Sequence, residues 1–159
     1  ETVSVEDFIG MTRAEYLSGM VEFFFMGRAA YALRKYFDTA PARQFIHEPC
    51  FPQMLRSWHN HFDNYGNYMP GFCGGISLGS WLHLEELLEH GLNLSNYPIL
   101  RYLSADDMEG LFDFVRDYGY IEQESGYTSK CDLCLDIRRH LAAQEDFEEL
   151  RPQEFYSHT

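Results

Sequence analysis

The segment that decides the fold is Thr128–Cys134, which reads TSKCDLC. Hydroxyl residues at its start are favoured helix caps, and Asp132 in the first turn suits the positive end of a helix. The sequence therefore predicts a helix from about residue 128 through Leu141. Cys131 and Cys134 stand three positions apart, which puts both sulfur atoms on one face of this helix. A helix N-terminus lowers the pKa of a thiol and so stabilises a thiolate ligand. The pair is thus placed where metal binding is easiest.

Two more cysteines, Cys50 and Cys73, complete the spacing C-x22-C-x57-C-x2-C. Four cysteines in 159 residues are too sparse for the disulfide framework of a small secreted protein, and the N-terminus lacks the basic and apolar regions of a signal peptide. We therefore expect reduced thiols in a cytoplasmic protein. Thiolates that persist together in a reducing cell usually hold a metal, and ligands from distant segments are typical of a four-cysteine site. The predicted metal ligands are Cys50, Cys73, Cys131 and Cys134.

Two other interpretations of the pair Cys131 and Cys134 stay open. One is a pair of buried core cysteines, because free cysteine is among the most buried residue types. The other is a thioredoxin-like redox pair, although no βαβ pattern precedes it. The metal is open as well, since four thiolates suit zinc and a 4Fe–4S iron–sulfur cluster about equally. Glycines around Cys73 favour a cluster, because their N–H groups are expected to donate to its sulfides. The single C-x2-C favours zinc.

Composition narrows the possible functions. With 45% apolar and 16% aromatic residues, the 159 residues suffice for one domain with a sizeable core. The balance of 12 basic and 25 acidic residues gives a net charge of −13, which argues against nucleic acid and against anionic membrane surfaces as partners. The longest apolar run is far shorter than the roughly 20 residues that a membrane-spanning helix needs. Because the chain begins at Glu1 without an initiator methionine, we expect a C-terminal fragment of a longer protein.

The remaining sequence predicts a mostly helical, single-domain α+β fold. A capping box at Thr12–Glu15 predicts a long helix, and aromatic runs on both sides of Gly66 predict a β-hairpin. A short helix is expected to end at Gly91, and another is expected to be capped at Ser104 and to run to Tyr118. The acidic tail is expected to dock weakly or to fray. The predicted regions are a long helix at about 12–37, a cysteine-bearing hairpin region at about 50–79, a helical region at about 80–144 and the acidic tail at 145–159.

Two stretches resemble a known family. Asn60–Ile76, which reads NHFDNYGNYMPGFCGGI, resembles the segment that follows the catalytic barrel in radical S-adenosylmethionine proteins. Tyr127–Cys134, followed by Arg138 and Leu141, is similar to the closing cysteine pair of the same extension, and the resemblance spans about residues 50–141. Such extensions, similar to SPASM and Twitch domains, bind an auxiliary iron–sulfur cluster through cysteines. The resemblance implies the same role for the four cysteines of this chain.

The chain also departs from this family. Six residues separate Gly66 from Cys73, which is longer than the gap typical of the extensions, and the full cysteine set of a SPASM domain is absent, so we expect one cluster at most. The sequence has no C-x3-C-x2-C motif, which the family uses for its catalytic cluster, so we do not expect catalysis by this chain alone. The expected function is an accessory domain with an auxiliary cluster, partnered by an N-terminal radical S-adenosylmethionine barrel. The alternative is a zinc-stabilised structural or interaction module without catalysis.

Overall fold

The computed structural model describes residues 2–4, 6–7, 10, 28–50, 54 and 60–157. This described part is an α+β arrangement, about half helical, with a small two-stranded antiparallel sheet. The helices are α1 (Arg28–Ala32), α2 (Leu84–His90), α3 (Pro98–Ser104), α4 (Met108–Asp117), α5 (Lys130–Gln144) and α6 (Glu154–Ser157), and the strands are β1 (His61–Phe62) and β2 (Tyr68–Met69). Short 3-10 turns lie at Arg34–Tyr36, Ala42–Gln44, Trp81–His83, Leu94–Asn96 and Glu148–Leu150. Among the helices in these ranges, none combines the length and the apolar character needed to cross a membrane.

The core is built around α5. Its side chains Leu133, Ile137 and Leu141 are fully buried, and so are Leu111 and Val115 of α4. The three residues of α5 recur every four positions and so form an apolar stripe along one face of the helix. Helix α4 contacts both α3 and α5. Burying a side chain of this size contributes about 1.5–3 kcal/mol. The helix that carries two of the cysteines is therefore held firmly by the core.

The predicted start of α5 is confirmed. Ser129 is the N-cap, and its Oγ accepts a hydrogen bond from the N–H of Asp132 at 3.2 Å. In return, the Asp132 carboxylate accepts hydrogen bonds from the N–H of Thr128 at 2.9 Å and from its hydroxyl at 3.1 Å. This reciprocal capping fixes where α5 begins, and with it the positions of Cys131 and Cys134.

The predicted hairpin is present, although each strand is only two residues long. The strands β1 and β2 pair antiparallel, with His61 opposite Met69. In the turn between them, Asp63 Oδ1 accepts a hydrogen bond from the N–H of Asn67 at 2.9 Å. A two-stranded hairpin is at best marginally stable by itself, so it depends on the rest of the fold. Its place in the chain leads directly into the loop that carries Cys73.

Helix α3 was not predicted. Pro98 occupies its first turn, where a missing N–H costs nothing. The N–H of Ile99 donates to Oε1 of Glu149 at 2.8 Å, and these two residues are 50 positions apart. Because a distant carboxylate caps α3, the local sequence carries no sign of where this helix begins.

The helix cap predicted at Ser104 is wrong. Ser104 is the last residue of α3, and α4 begins after Asp107, whose Oδ1 accepts a hydrogen bond from the N–H of Gly110 at 2.8 Å. Between the two helices, Asp106 has φ 55°, a left-handed conformation that interrupts the helical path. Aspartate is as good an N-cap as serine, so the start of the helix moves three positions along the chain.

The long helix predicted at about 12–37 lies mostly outside the described residues. Its described end is α1, which stops at Ala32 and gives way to the 3-10 turn Arg34–Tyr36, so the α-helix does not reach residue 37. The side chain of Arg34 donates to Oε1 of Gln123 at 2.7 Å and to the carbonyl of Gly126. These distant contacts draw the chain away from the helical path.

The expectation of a weakly docked tail is wrong for residues 145–157. Glu149 and Leu150 are fully buried, and Tyr156 is 5% exposed. The hydroxyl of Tyr156 donates to the carbonyl of Gly75 at 2.5 Å. Although the tail is acidic overall, a few of its side chains pack into the core, and these hold the tail in place.

Replacing Glu149 with alanine is expected to lower the free energy of unfolding by about 1–3 kcal/mol, because the buried N–H of Ile99 loses its acceptor. Glu149→Gln keeps an acceptor oxygen and is expected to lose less. Chemical denaturation at neutral pH measures both variants. Equal losses for the two would show that the cap of α3 contributes nothing.

The stability of Glu149→Gln relative to wild type should also depend on pH. Burial raises the pKa of Glu149, so the folded protein holds this proton more tightly than the unfolded chain. The contribution of Glu149 to stability is then complete below the unfolded pKa of about 4.3 and declines as the pH rises through the folded pKa. Glu149→Gln removes this titration, so its stability relative to wild type should increase with pH across that range.

Candidate metal centre

The four predicted ligands arrive from three separate segments and meet at the start of α5. The N–H of Cys50 donates to Oδ1 of Asp106 at 2.6 Å, which ties the end of the proline-rich loop to the turn between α3 and α4. Cys73 lies in the loop after β2, and Cys131 and Cys134 lie in the first turns of α5. All four are free thiols; Cys50 and Cys134 are buried, and Cys73 and Cys131 are half-buried.

The thiols are close enough to act on one another. Those of Cys50 and Cys73 share a hydrogen bond. Cys134 interacts electrostatically with Cys73, Cys131 and Cys50. Across the described ranges, however, no group of three or more Cys, His, Asp or Glu side chains has the arrangement of metal ligands. The structure therefore brings the four thiols together without giving them the geometry of coordination.

Burial and one shared hydrogen bond control the protonation of these thiols. It raises the pKa of Cys131 to about 12, and it also raises the pKa of Cys134. The hydrogen bond with Cys50 raises the pKa of Cys73 well above its ordinary value, and the same bond lowers the pKa of Cys50 to about 7. The predicted lowering of thiol pKa at the helix N-terminus is thus outweighed by desolvation at Cys131 and Cys134. A metal that binds all four must displace protons, so its affinity should increase with pH.

The glycines around Cys73 allow the C-terminal tail to pack closely against this loop. The N–H of Gly74 donates to the carbonyl of Phe72 at 2.9 Å, so it does not serve a sulfur atom as expected. Gly75 has φ +83°, and a Cβ there would lie 2.3 Å from Cε1 of Phe155. Glycine alone allows both this backbone conformation and this close approach. The loop therefore joins the cysteine cluster to the C-terminal tail.

Arg138 is the one buried basic side chain among the described residues, with 1% exposure. Its Nη1 donates to the carbonyl of Gly74 at 2.8 Å and to the hydroxyl of Tyr156 at 3.1 Å. The side chain also forms a hydrogen bond with the thiol of Cys134. Burial lowers the pKa of Arg138, but Tyr156, Cys134 and Cys73 together raise it above the ordinary value. A permanent positive charge therefore stands beside the cysteine cluster.

Sequence reasoning missed this role of Arg138. The available signal is its spacing, because it follows Cys134 by four positions and so lies on the same face of α5. The neighbouring Arg139, by contrast, faces solvent and donates to the hydroxyl of Tyr31 at 3.2 Å. An arginine on the face of a helix that carries two predicted ligands is a sign of a charged centre, since arginine is rarely buried without a partner.

A second polar cluster lies at an open cleft of about 810 Å³ that residues of α5 and α6 line. Tyr120 and Asp136 both line this cleft, and the hydroxyl of Tyr120 donates to Oδ2 of Asp136 at 2.6 Å. The hydroxyl of Tyr127 lies 2.5 Å from that of Tyr120 and accepts a hydrogen bond from the N–H of Gln123 at 3.0 Å. These bonds fix the segment before α5 to that helix.

Comparison of the chain with known protein families, with curated proteins and with solved structures finds no match. The resemblance to the extensions of radical S-adenosylmethionine proteins therefore rests on the residues quoted above.

Proposed function

We propose that this chain is a metal-binding accessory domain that holds an auxiliary iron–sulfur cluster through Cys50, Cys73, Cys131 and Cys134. The observation that supports the proposal is the meeting of four free thiols from three separate segments at the start of α5. Core packing alone would not require four thiols close enough to interact electrostatically. The parent protein in this proposal is of the radical S-adenosylmethionine type.

The chemistry of the donor set fits such a group. Four sulfur atoms are soft ligands, which suit an iron–sulfur cluster or zinc. Two of the thiols are buried and two are half-buried, and the positive charge of Arg138 beside Cys134 would partly offset the charge of the thiolates. When bound, the cluster would supply one-electron chemistry and would crosslink the three segments. The four cysteines would hold it and would connect α5 to the loops of Cys50 and Cys73.

The proposal gives this domain a supporting role. Its sequence lacks the C-x3-C-x2-C motif that resembling proteins use to hold the catalytic cluster. Radical chemistry would therefore belong to an N-terminal barrel, which is the proposed partner. The net charge of −13 still argues against nucleic acid as a partner.

A zinc-stabilised structural or interaction module is the second candidate. The observation that favours it is the position of Cys131 and Cys134, a C-x2-C pair in the first turns of α5. This spacing is common in structural zinc sites. In that case the metal would contribute folding energy alone.

One experiment separates the two candidates. The longest natural chain that contains this domain is purified without oxygen, and its iron, zinc and acid-labile sulfide are measured for wild type and for a serine variant of each cysteine. We expect iron with sulfide, lost in every variant. Stoichiometric zinc without sulfide would favour the second candidate. No metal after anaerobic reconstitution with iron and sulfide, or with zinc, would overturn both.

A further inference from the structure

The environment of Arg138 shows a cation that is built into the cysteine cluster. Its guanidinium is held from three directions: by α5, by the carbonyl of Gly74 in the Cys73 loop, and by the hydroxyl of Tyr156 in α6. It also hydrogen-bonds the thiol of Cys134. Holding a long side chain in this way costs conformational entropy, and burying its charge costs solvation energy. The groups that surround the guanidinium must therefore offset these costs, and they indicate what the buried charge does.

The charge of a four-thiolate centre supplies such a function. Four thiolates and a divalent metal leave a net charge of about −2. Burying that charge is unfavourable unless nearby cations and hydrogen bonds offset it. Arg138 is fully buried on the protein side of the cluster, whereas Lys130 approaches from the more exposed side, where its Nζ donates to the carbonyl of Pro49. Of these two described cations, the guanidinium is therefore the one that solvent screens less.

We propose that Arg138 is a positioning residue of the metal centre, whose guanidinium donates to the sulfur of Cys134 and offsets the negative charge of the thiolates. This inference rests on the proposed function. It goes beyond that function by assigning to one residue outside the ligand set the control of metal affinity and, in an iron–sulfur centre, of reduction potential. Cluster potentials depend on net charge and on hydrogen bonds to sulfur, so loss of Arg138 would make the cluster harder to reduce.

The test uses Co²⁺ alone as the probe, added without oxygen to the full-length, metal-free protein. Cobalt accepts soft thiolate ligands, and its sulfur-to-metal charge-transfer band reports both affinity and the electronic state of the sulfur atoms. Arg138→Met is compared with Arg139→Met, which removes the same charge from the adjacent, exposed position of α5. Tyr156→Phe removes one hydrogen-bond partner of Arg138 and keeps its charge.

We expect Arg138→Met to weaken Co²⁺ binding by about 10–100-fold, as loss of groups that support metal ligands generally does. Its charge-transfer band should also move to lower energy, because the sulfur of Cys134 loses a donor. Arg139→Met should keep the wild-type band and bind within about twofold of wild type, and Tyr156→Phe, which keeps the charge of Arg138, should lose clearly less affinity than Arg138→Met. Arg138→Lys, which keeps the charge, should recover most of the affinity and serves as the folded comparison if Arg138→Met is unstable.

Two results would overturn the inference alone. An unchanged affinity and band in Arg138→Met, with wild type binding Co²⁺, would show that Arg138 only anchors the tail. A loss in Tyr156→Phe as large as that in Arg138→Met would show that the hydrogen-bonded scaffold, and not the charge, supports the site. Failure of wild type itself to bind Co²⁺ would instead overturn the proposed function, and this inference with it.

Discussion

In the metal-loaded protein, Cys131→Ser is expected to abolish stoichiometric metal binding and to remove most of the metal-dependent free energy of unfolding. The metal in this proposal joins α5 to the segments of Cys50 and Cys73, so binding energy is also folding energy. In small zinc domains this energy reaches about 10–16 kcal/mol at neutral pH. Thermal and chemical denaturation with and without metal, combined with metal analysis, measure the effect.

The metal-free protein provides the control for this prediction. There, Cys131→Ser exchanges sulfur for oxygen at a half-buried position, and the cost should be small. The large loss should appear only in the presence of metal. A mild loss of the same size in both states would mean that Cys131 is an ordinary core cysteine, and the four-cysteine site would be refuted.

Gly75→Ala is expected to destabilise the protein by about 2–5 kcal/mol. The residue has φ +83°, which costs an L-residue about 1–2 kcal/mol. In addition, the new Cβ would lie 2.3 Å from Cε1 and 2.6 Å from Cδ1 of Phe155, and such overpacking costs about 1–3 kcal/mol. Because α6 must shift to relieve the clash, the bond from Tyr156 to the carbonyl of Gly75 should weaken as well.

Gly119→Ala is the matched control. Gly119 has φ +78°, but a Cβ there would meet no atom within 4 Å. Both variants therefore incur the backbone cost, and only Gly75→Ala incurs the clash. Chemical denaturation should show the larger loss at Gly75, accompanied by faster proteolysis of the tail. Equal losses would mean that α6 does not pack against the Cys73 loop as described.

Features governed by neighbouring residues were predictable from the sequence. The cap at Ser129 and the first-turn Asp132 define the start of α5 through bonds that span no more than four positions. The spacing of Cys131 and Cys134 then fixes their common face. Gly91, with φ +70°, ends α2 as predicted, because a left-handed residue stops a helix wherever it occurs.

Features governed by distant contacts were not predictable. Glu149 caps α3 from 50 positions away, and no local pattern in either segment reveals the other. The acidic composition of the tail suggested a frayed end. The hydroxyl of Tyr156 instead holds the tail by donating to the carbonyl of Gly75, a contact that the local sequence does not reveal. The same reason applies at the candidate site, where the four cysteines were identifiable by type and the role of Arg138 depends on the folded positions of Gly74 and Tyr156.

If four sulfur atoms surround one metal centre, X-ray absorption spectroscopy at the edge of the bound metal will detect them. In protein purified without oxygen, we expect a first shell of sulfur alone, at about 2.3 Å for zinc. The energy of the absorption edge identifies the metal as iron or zinc, and metal–metal scattering at the iron edge would identify a cluster rather than a single iron ion. A first shell of nitrogen or oxygen atoms would contradict this expectation for either metal.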